Sequence, residues 1–314
     1  MTMAYSAAHI DLAWFTKATV HQPCTGIFDE DTAFDWRFPV EMKPLLGHPA
    51  MLAQPQSTQR FIHVQAFHKY LHDVCLTETD VVNRVAVDIA YGRSIRVFEA
   101  ETATEALAIL VDEAFHSYMA RLFSNKVSLA TGIAPIPMPA RNALINAYED
   151  IAHDLDDSSA ALSRFLCCCL SESTFTKEIL VASRLDGYDP GFRRLMEYHL
   201  ADEGRHYGYF RRALAWVWPR LDESEREMAA TLLPAIIATY FDDFDDRTHD
   251  RAVLLAAGID SSMADKMLND IARQRPALSE APRLQNSLEF LRLTKVSEHA
   301  LVRKELIANG LMTP

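Results

Sequence analysis

From about residue 57 onward, apolar residues recur at spacings of three and four, and few glycines interrupt them. This period predicts helix almost throughout. The strict apolar–polar alternation of a half-buried strand is scarce. The pattern predicts helices over 57–91, 101–125, 141–153, 158–186, 190–217 and 222–243, with shorter ones through 250–275 and 280–309. Punctuation residues support several of these edges. Asp189-Pro190 offers a capping carboxylate followed by a residue whose missing N–H costs nothing in a first turn, so a helix starts there. Tyr91-Gly92 reads as a helix stop. Pro135, Pro137 and Pro139 exclude helix from the segment that begins at Thr131, which becomes the crossover between two helical pairs. Five prolines before residue 56, with Gly26 and Gly47, make the first 56 residues an irregular arm laid over the core. The expected organisation is all-α and a single domain over 1–314: the arm at 1–56, a helical core at 57–245 and C-terminal helices at 246–314.

Composition narrows the function classes. With 314 residues, 49% of them hydrophobic and 24% charged, the chain is long enough for one substantial buried core. A formal charge of −12 without any basic block excludes nucleic acid as the natural partner. No apolar run reaches membrane-spanning length, and the N-terminus has no charged region followed by an apolar one; no membrane association and a cytoplasmic setting are expected. Cys24, Cys75, Cys167, Cys168 and Cys169 form an odd set with three in a row, which suits reduced thiols, the triplet packed inside a helix.

Two short motifs carry the chemistry. Glu113-x-x-His116 and Glu203-x-x-His206 lie 90 residues apart on separate helices. A three-residue step turns a helix to within about 60° of its start, so each Glu and His can reach one metal from one helix face. A single such pair is an ordinary coincidence, but two are not. A dimetal site in a four-helix bundle also needs one lone glutamate from each of the two remaining helices. Glu78 stands 35 residues before Glu113, and Glu172 stands 31 before Glu203, each on the preceding helix. Glu172 follows the apolar run Phe165–Leu170, where a carboxylate calls for a partner. Glu78 and Asp80 also admit a solvated reading. His199 joins Glu203 and His206 in one stripe at i, i+4 and i+7, adding a third imidazole.

Around these, Asp112 and Asp202 each precede a motif glutamate and stand four residues before His116 and His206 respectively. That relation predicts that each accepts the outer ring N–H of the histidine on its own helix. Thr176, one turn after Glu172, offers a hydroxyl to the open side of the metals or bonds back to its own helix. Four carboxylates and three imidazoles without thiolate suit iron or manganese. Without the metals the carboxylates repel one another, so the metal-free chain is expected to be less stable.

The set Glu78, Glu113, His116, Glu172, His199, Glu203 and His206, in this order and with the extra histidine one turn before the last motif, resembles the p-aminobenzoate N-oxygenase family of ferritin-like di-iron enzymes. The motifs carry the resemblance over residues 57–245. It implies a ferritin-like four-helix bundle, two iron ions held by all seven residues, O2 as co-substrate, an external electron-donor protein or reductant, and oxidation of a small primary amine to a hydroxylamine, nitroso or nitro product in secondary metabolism. A homodimer is compatible with it. The six-ligand core alone is shared with hydroxylases and desaturases acting on carbon, with ferritins and with radical-generating reductase subunits; His199 sets this family apart. A reductase-type role would need a redox tyrosine, and Tyr118, Tyr198, Tyr207 and Tyr209 lie near ligands in sequence. A substrate carboxylate would need an arginine, for which Arg84 and Arg184 are the candidates nearest Glu78 and Glu172.

Overall fold

The computed structural model describes residues 14–28, 33–242, 244–275 and 278–313, with the backbone alone at 176–178, 244–245, 279 and 282–283. Among the described residues there is no strand. Helix α1 (Gln56–Thr77) passes through a π turn (Glu78–Val82) into α2 (Asn83–Ala90), and α3 (Ala100–Thr131) returns alongside. A short helix α4 (Ala143–His153) leads into the second long pair, α5 (Asp157–Ala182) and α6 (Pro190–Val217). Then follow α7 (Glu223–Tyr240), α8 (Phe244–Ala256), α9 (Ser261–Gln274), α10 (Pro282–Leu293) and α11 (Ala300–Ala308). The bundle is built from α1 and α2 on α3, α5 on α6, and α3 on α6. Helix α4 fills the side between α5 and α7, α11 and α10 cover α7 and α5, and α8 rests on α9 and α1.

Local chemistry accounts for the edges. The Asp189 carboxylate accepts the Phe192 N–H at 2.9 Å, and Pro190 occupies the first turn of α6, as its sequence predicts. Gly92 follows α2 at φ 68°, a conformation that a side chain would strain. Helix α3 runs beyond the predicted 125 to Thr131, because Val127 is fully buried and carries the helix through the polar run Ser124–Lys126. The predicted single helix over 57–91 contains a π turn, in which the Asn83 N–H reaches back to the Glu78 carbonyl. The extra residue per turn lets Glu78 face inward while both Val81 and Val82 stay buried, a phase change that a regular period cannot signal. The stretch predicted over 250–275 divides into α8 and α9 at Gly258.

Two apolar cores occupy the two ends of the bundle. One is built around Phe38, Phe67, Phe123 and Phe192, with Phe67 edge-on to Phe192 at 5.1 Å and 87°. The other gathers Val81, Phe165, Tyr209 and Phe210 together with the cysteine triplet. Every long helix crosses from one to the other: Val74 to Val81, Met119 to Ile109, Ile179 to Leu170, and Met196 to Tyr209. The band between these pairs contains all the predicted ligands.

The N-terminal arm is seated on this bundle through a close backbone approach. A Cβ at Gly191 would lie 2.7 Å from the Ile27 carbonyl, which also accepts a hydrogen bond from Lys126 Nζ at 2.8 Å. Gly191→Ala is therefore expected to push the arm off α6 at a cost of about 1–3 kcal/mol. Urea unfolding should show a lowered midpoint; an unchanged midpoint would contradict the close approach.

Candidate metal centre

The structure brings all seven predicted residues into the band between the two cores. None is more than 4% exposed: Glu78, Glu113, Glu172 and Glu203 are each at 1%, and His116, His199 and His206 at 4%, 3% and 0%. Glu78, Glu113, His116 and His199 converge as one group able to hold a cation, and Glu113, Glu203 and His206 as another. Glu113 belongs to both. Glu203 Oε1 lies 3.1 Å from His199 Nε2, 3.5 Å from His206 Nδ1 and 3.9 Å from His116 Nδ1, so it also faces both groups. Glu172 belongs to neither group; it is buried in the same band, where the charges of Glu203 and Glu113 act on it.

The chemistry of this donor set fits a pair of metal ions. His199 Nε2 sits 2.9 Å from Glu78 Oε1 and His206 Nδ1 sits 2.8 Å from Glu113 Oε1, yet these four buried atoms make no hydrogen bond. They face each other within the two groups as ligands do, rather than along donor–acceptor lines. Their other atoms are engaged: the Ser117 hydroxyl donates to Glu78 Oε2 at 2.9 Å, and His116 Nδ1 lies 3.2 Å from Glu113 Oε2. The acceptor role of Glu78 toward Ser117 carried no sequence signal beyond the residue next to His116.

Electrostatics show what such burial costs. Burial pushes the Glu78 carboxyl above its ordinary range, although the charge of His199 pulls the other way. Burial, with the charges of Glu203 and Glu113, holds Glu172 well above its ordinary range. Burial opposes protonation of His199 and His206, but the carboxylate of Glu78 beside one and of Glu113 beside the other raise both well above the ordinary imidazole value. Glu203 is correspondingly held low: the imidazoles of His199 and His206 beside its carboxylate outweigh its burial. Protons thus balance part of the charge that cations would otherwise balance.

The two outer aspartates are buried beside the histidines, as expected, but their pairing is crossed. Asp202 accepts from His116 Nε2 at 3.1 Å, and Asp112 from His206 Nε2 at 3.2 Å. The pairing predicted within each helix, Asp112 with His116 and Asp202 with His206, is replaced by pairing between α3 and α6. Each histidine turns its inner nitrogen toward the glutamates, so its outer nitrogen points at the facing helix rather than along its own. Arg205 bridges the two aspartates, 2.7 Å from Asp112 and 2.8 Å from Asp202. The arm completes them: Trp14 Nε1 donates to Asp112 Oδ1 at 3.0 Å, while the backbone N–H of Thr19 and its hydroxyl donate to Asp202, the hydroxyl at 2.5 Å. Burial would raise the Asp202 carboxyl, but the His116 hydrogen bond and its other partners draw it down to about 2. Sequence reasoning missed Arg205, Trp14 and Thr19. Arg205 carried a signal, standing three residues after Asp202; the arm residues lie 98 and 183 positions from their partners and carried none.

Other expected participants fall elsewhere. The Thr176 side chain lies outside the described residues. The Tyr198 hydroxyl donates to the Thr19 carbonyl and that of Tyr209 to the Thr102 carbonyl, Tyr207 packs edge-on to Phe290, and Tyr118 is 57% exposed. Cys167, Cys168 and Cys169 are fully buried free thiols, and burial pushes all three up and away from reactivity. Arg184 is exposed, and Arg84 pairs with Asp80 and Glu149 in a surface cavity of about 470 Å³ that contains none of the seven residues. Neither arginine faces the cluster.

Four long helices in two pairs, each pair carrying a lone glutamate and a Glu-x-x-His to a shared interior, define an all-α, ferritin-like metal-binding bundle. The chain belongs to the p-aminobenzoate N-oxygenase family, for the profile of P-aminobenzoate N-oxygenase AurF matches residues 26–276. That span exceeds the 57–245 defined by the motifs and takes in part of the arm together with α8 and α9. No curated protein matches the chain. Membership places it among the oxidoreductases. No helix of the described residues is long and apolar enough to cross a membrane.

Because protonated imidazoles and carboxyls balance part of the cluster's charge, divalent metal has to displace those protons. Adding ferrous or manganous ion anaerobically to metal-free protein near pH 7 should release protons, read with an indicator dye in weak buffer. Metal uptake without proton release would contradict the arrangement.

Proposed function

We propose that the protein is a non-haem di-iron N-oxygenase, using O2 and electrons from an external donor to convert a small primary amine into a hydroxylamine, nitroso or nitro compound in secondary metabolism. The observation that carries this reading is the convergence of three glutamates and three histidines, with Glu172 buried in the same band, in a family whose namesake is an N-oxygenase. In this proposal Glu78, Glu113, His116, Glu172, His199, Glu203 and His206 would hold the metals, Glu113 being shared by the two groups. Bound iron would supply the activation of O2. The donor set, hard carboxylates with imidazoles and no thiolate, favours iron or manganese over softer metals.

The chain's own residues supply the rest. Asp112 and Asp202 hold the outer nitrogens of His206 and His116, fixing which ring nitrogen is free to bind. The two apolar cores exclude water from the band between them. A crevice of about 10 Å³ reaches His116 and His199 between Val74, Met119, Leu195 and Met196. Its lining suits an amine with an apolar or aromatic body, since methionine sulfur packs well against rings. The crevice is too narrow for such a body as it stands, so substrate entry requires the flexible Met119 and Met196 side chains to turn aside.

The reading is tested with iron-loaded, reduced protein exposed to 18O2 and a panel of aryl and amino-acid-derived amines. Mass spectrometry should find the label on nitrogen. Label on carbon, or no amine product with any panel member, would overturn the reading in favour of a carbon hydroxylase or an iron-handling protein. His199→Ala should lower product formation by at least about tenfold together with iron content. A variant with two irons and normal turnover would remove His199 from the ligand set.

A further inference from the structure

The seven residues of the centre are buried so deeply that no redox partner can touch them. Electrons from outside must cross the protein shell, and they do so fastest where covalent and hydrogen bonds leave no through-space gap. One such connection runs from the surface inward. Trp14 is partly exposed in the arm, with the 56% exposed Phe15 edge-on to its ring at 5.0 Å and His21 at 4.7 Å. Its indole N–H donates to Asp112 Oδ1 at 3.0 Å, and Asp112 Oδ2 meets His206 Nε2 at 3.2 Å. The inner nitrogen of the same imidazole faces Glu113 at 2.8 Å.

The matching position in the other half of the bundle is filled differently. Asp202, which holds His116, takes its hydrogen bonds from the backbone and hydroxyl of Thr19. A threonine suffices to satisfy a buried carboxylate, and it has no accessible redox chemistry. At Asp112 the same task is done by an indole, the side chain with the most extended π system, on a residue that is only partly buried. Satisfying the carboxylate therefore does not by itself explain Trp14.

We propose that Trp14 and Asp112 form the electron-entry route to the metal centre, delivering electrons to the ion at His206 from a one-electron carrier that docks outside the arm. This inference rests on the reading above that the cluster holds iron. In each transfer the reduced carrier loses one electron and a ferric ion gains it, and two transfers reduce a diferric pair. No bond is made or broken along the route.

The test uses full-length diferric protein without amine or oxygen, mixed with a plant-type [2Fe–2S] ferredoxin that has been reduced and freed of excess dithionite. Ferrous ions are counted by freeze-quench Mössbauer spectroscopy. Ferredoxin is too large to enter the core, so its electrons must use the shell. Trp14→Phe keeps an aromatic ring without the hydrogen bond, and Trp14→Gln keeps an N–H donor without the indole. Both variants should hold two irons per chain and be reduced at least about tenfold more slowly than wild type. Reduction of Trp14→Gln at the wild-type rate would overturn the route, because Trp14 would then only position Asp112. Wild-type rates in both variants, or loss of iron in both, would overturn it equally, the latter by making Trp14 structural. Failure of the N-oxygenase reading looks different: wild-type protein would be reduced normally yet give no amine product.

Discussion

Four carboxylates and three imidazoles occupy a dry band between two apolar cores, and the rest of the structure is organised around making that burial tolerable. An isolated carboxylate taken from water into such a medium costs several kcal/mol or more even after relaxation. Protons and inward-turned imidazoles balance part of the charge, which is why Glu172 is held well above and Glu203 below their ordinary range within one cluster. Two divalent cations would balance it completely. The apolar ends of the bundle close off water, the aspartates fix the histidines, and the arm satisfies the aspartates. Each layer completes the hydrogen bonding of the one inside it.

The two halves of the bundle repeat one plan with deliberate differences. Both carry an Asp-Glu pair followed by a histidine, with a lone glutamate on the preceding helix. Where the second half has His199, the equivalent position of the first is Ile109, buried at 3% in the apolar core. Where the second has Arg205 bridging both aspartates, the first has Phe115, packed on the opposite core. The arm adds a third difference by offering an indole to one aspartate and a threonine to the other. The cage is thus near-symmetric with unequal sides, so its two groups of converging side chains are not equivalent.

Most of the bundle was legible in the amino-acid pattern because helical period, proline punctuation and Glu-x-x-His spacing are local signals. Asp189-Pro190 announced α6, and the seven residues buried in the band between the cores, six of which converge, were found from spacing on four helices. Signals that depend on the facing helix were not available. The crossing of Asp112 to His206 and Asp202 to His116 arises from how α3 meets α6, and nothing within either helix encodes it. The π turn at Glu78 is a shift of phase by one residue that a helical period averages away. Trp14 and Thr19 act from an arm whose prolines and glycines reveal only that it is irregular. Arg84 and Arg184 were near ligands in sequence but on the outer face of their helices, where Arg84 finds acidic partners at the surface.

The functional role of the cluster depends on its holding two metal ions. Metal content per chain, measured by inductively coupled plasma mass spectrometry after anaerobic reconstitution with ferrous iron and removal of loosely bound ion, decides this. The account predicts two irons per chain. A value of zero or one would contradict it, and the seven buried residues would then be a polar core held together by protons alone.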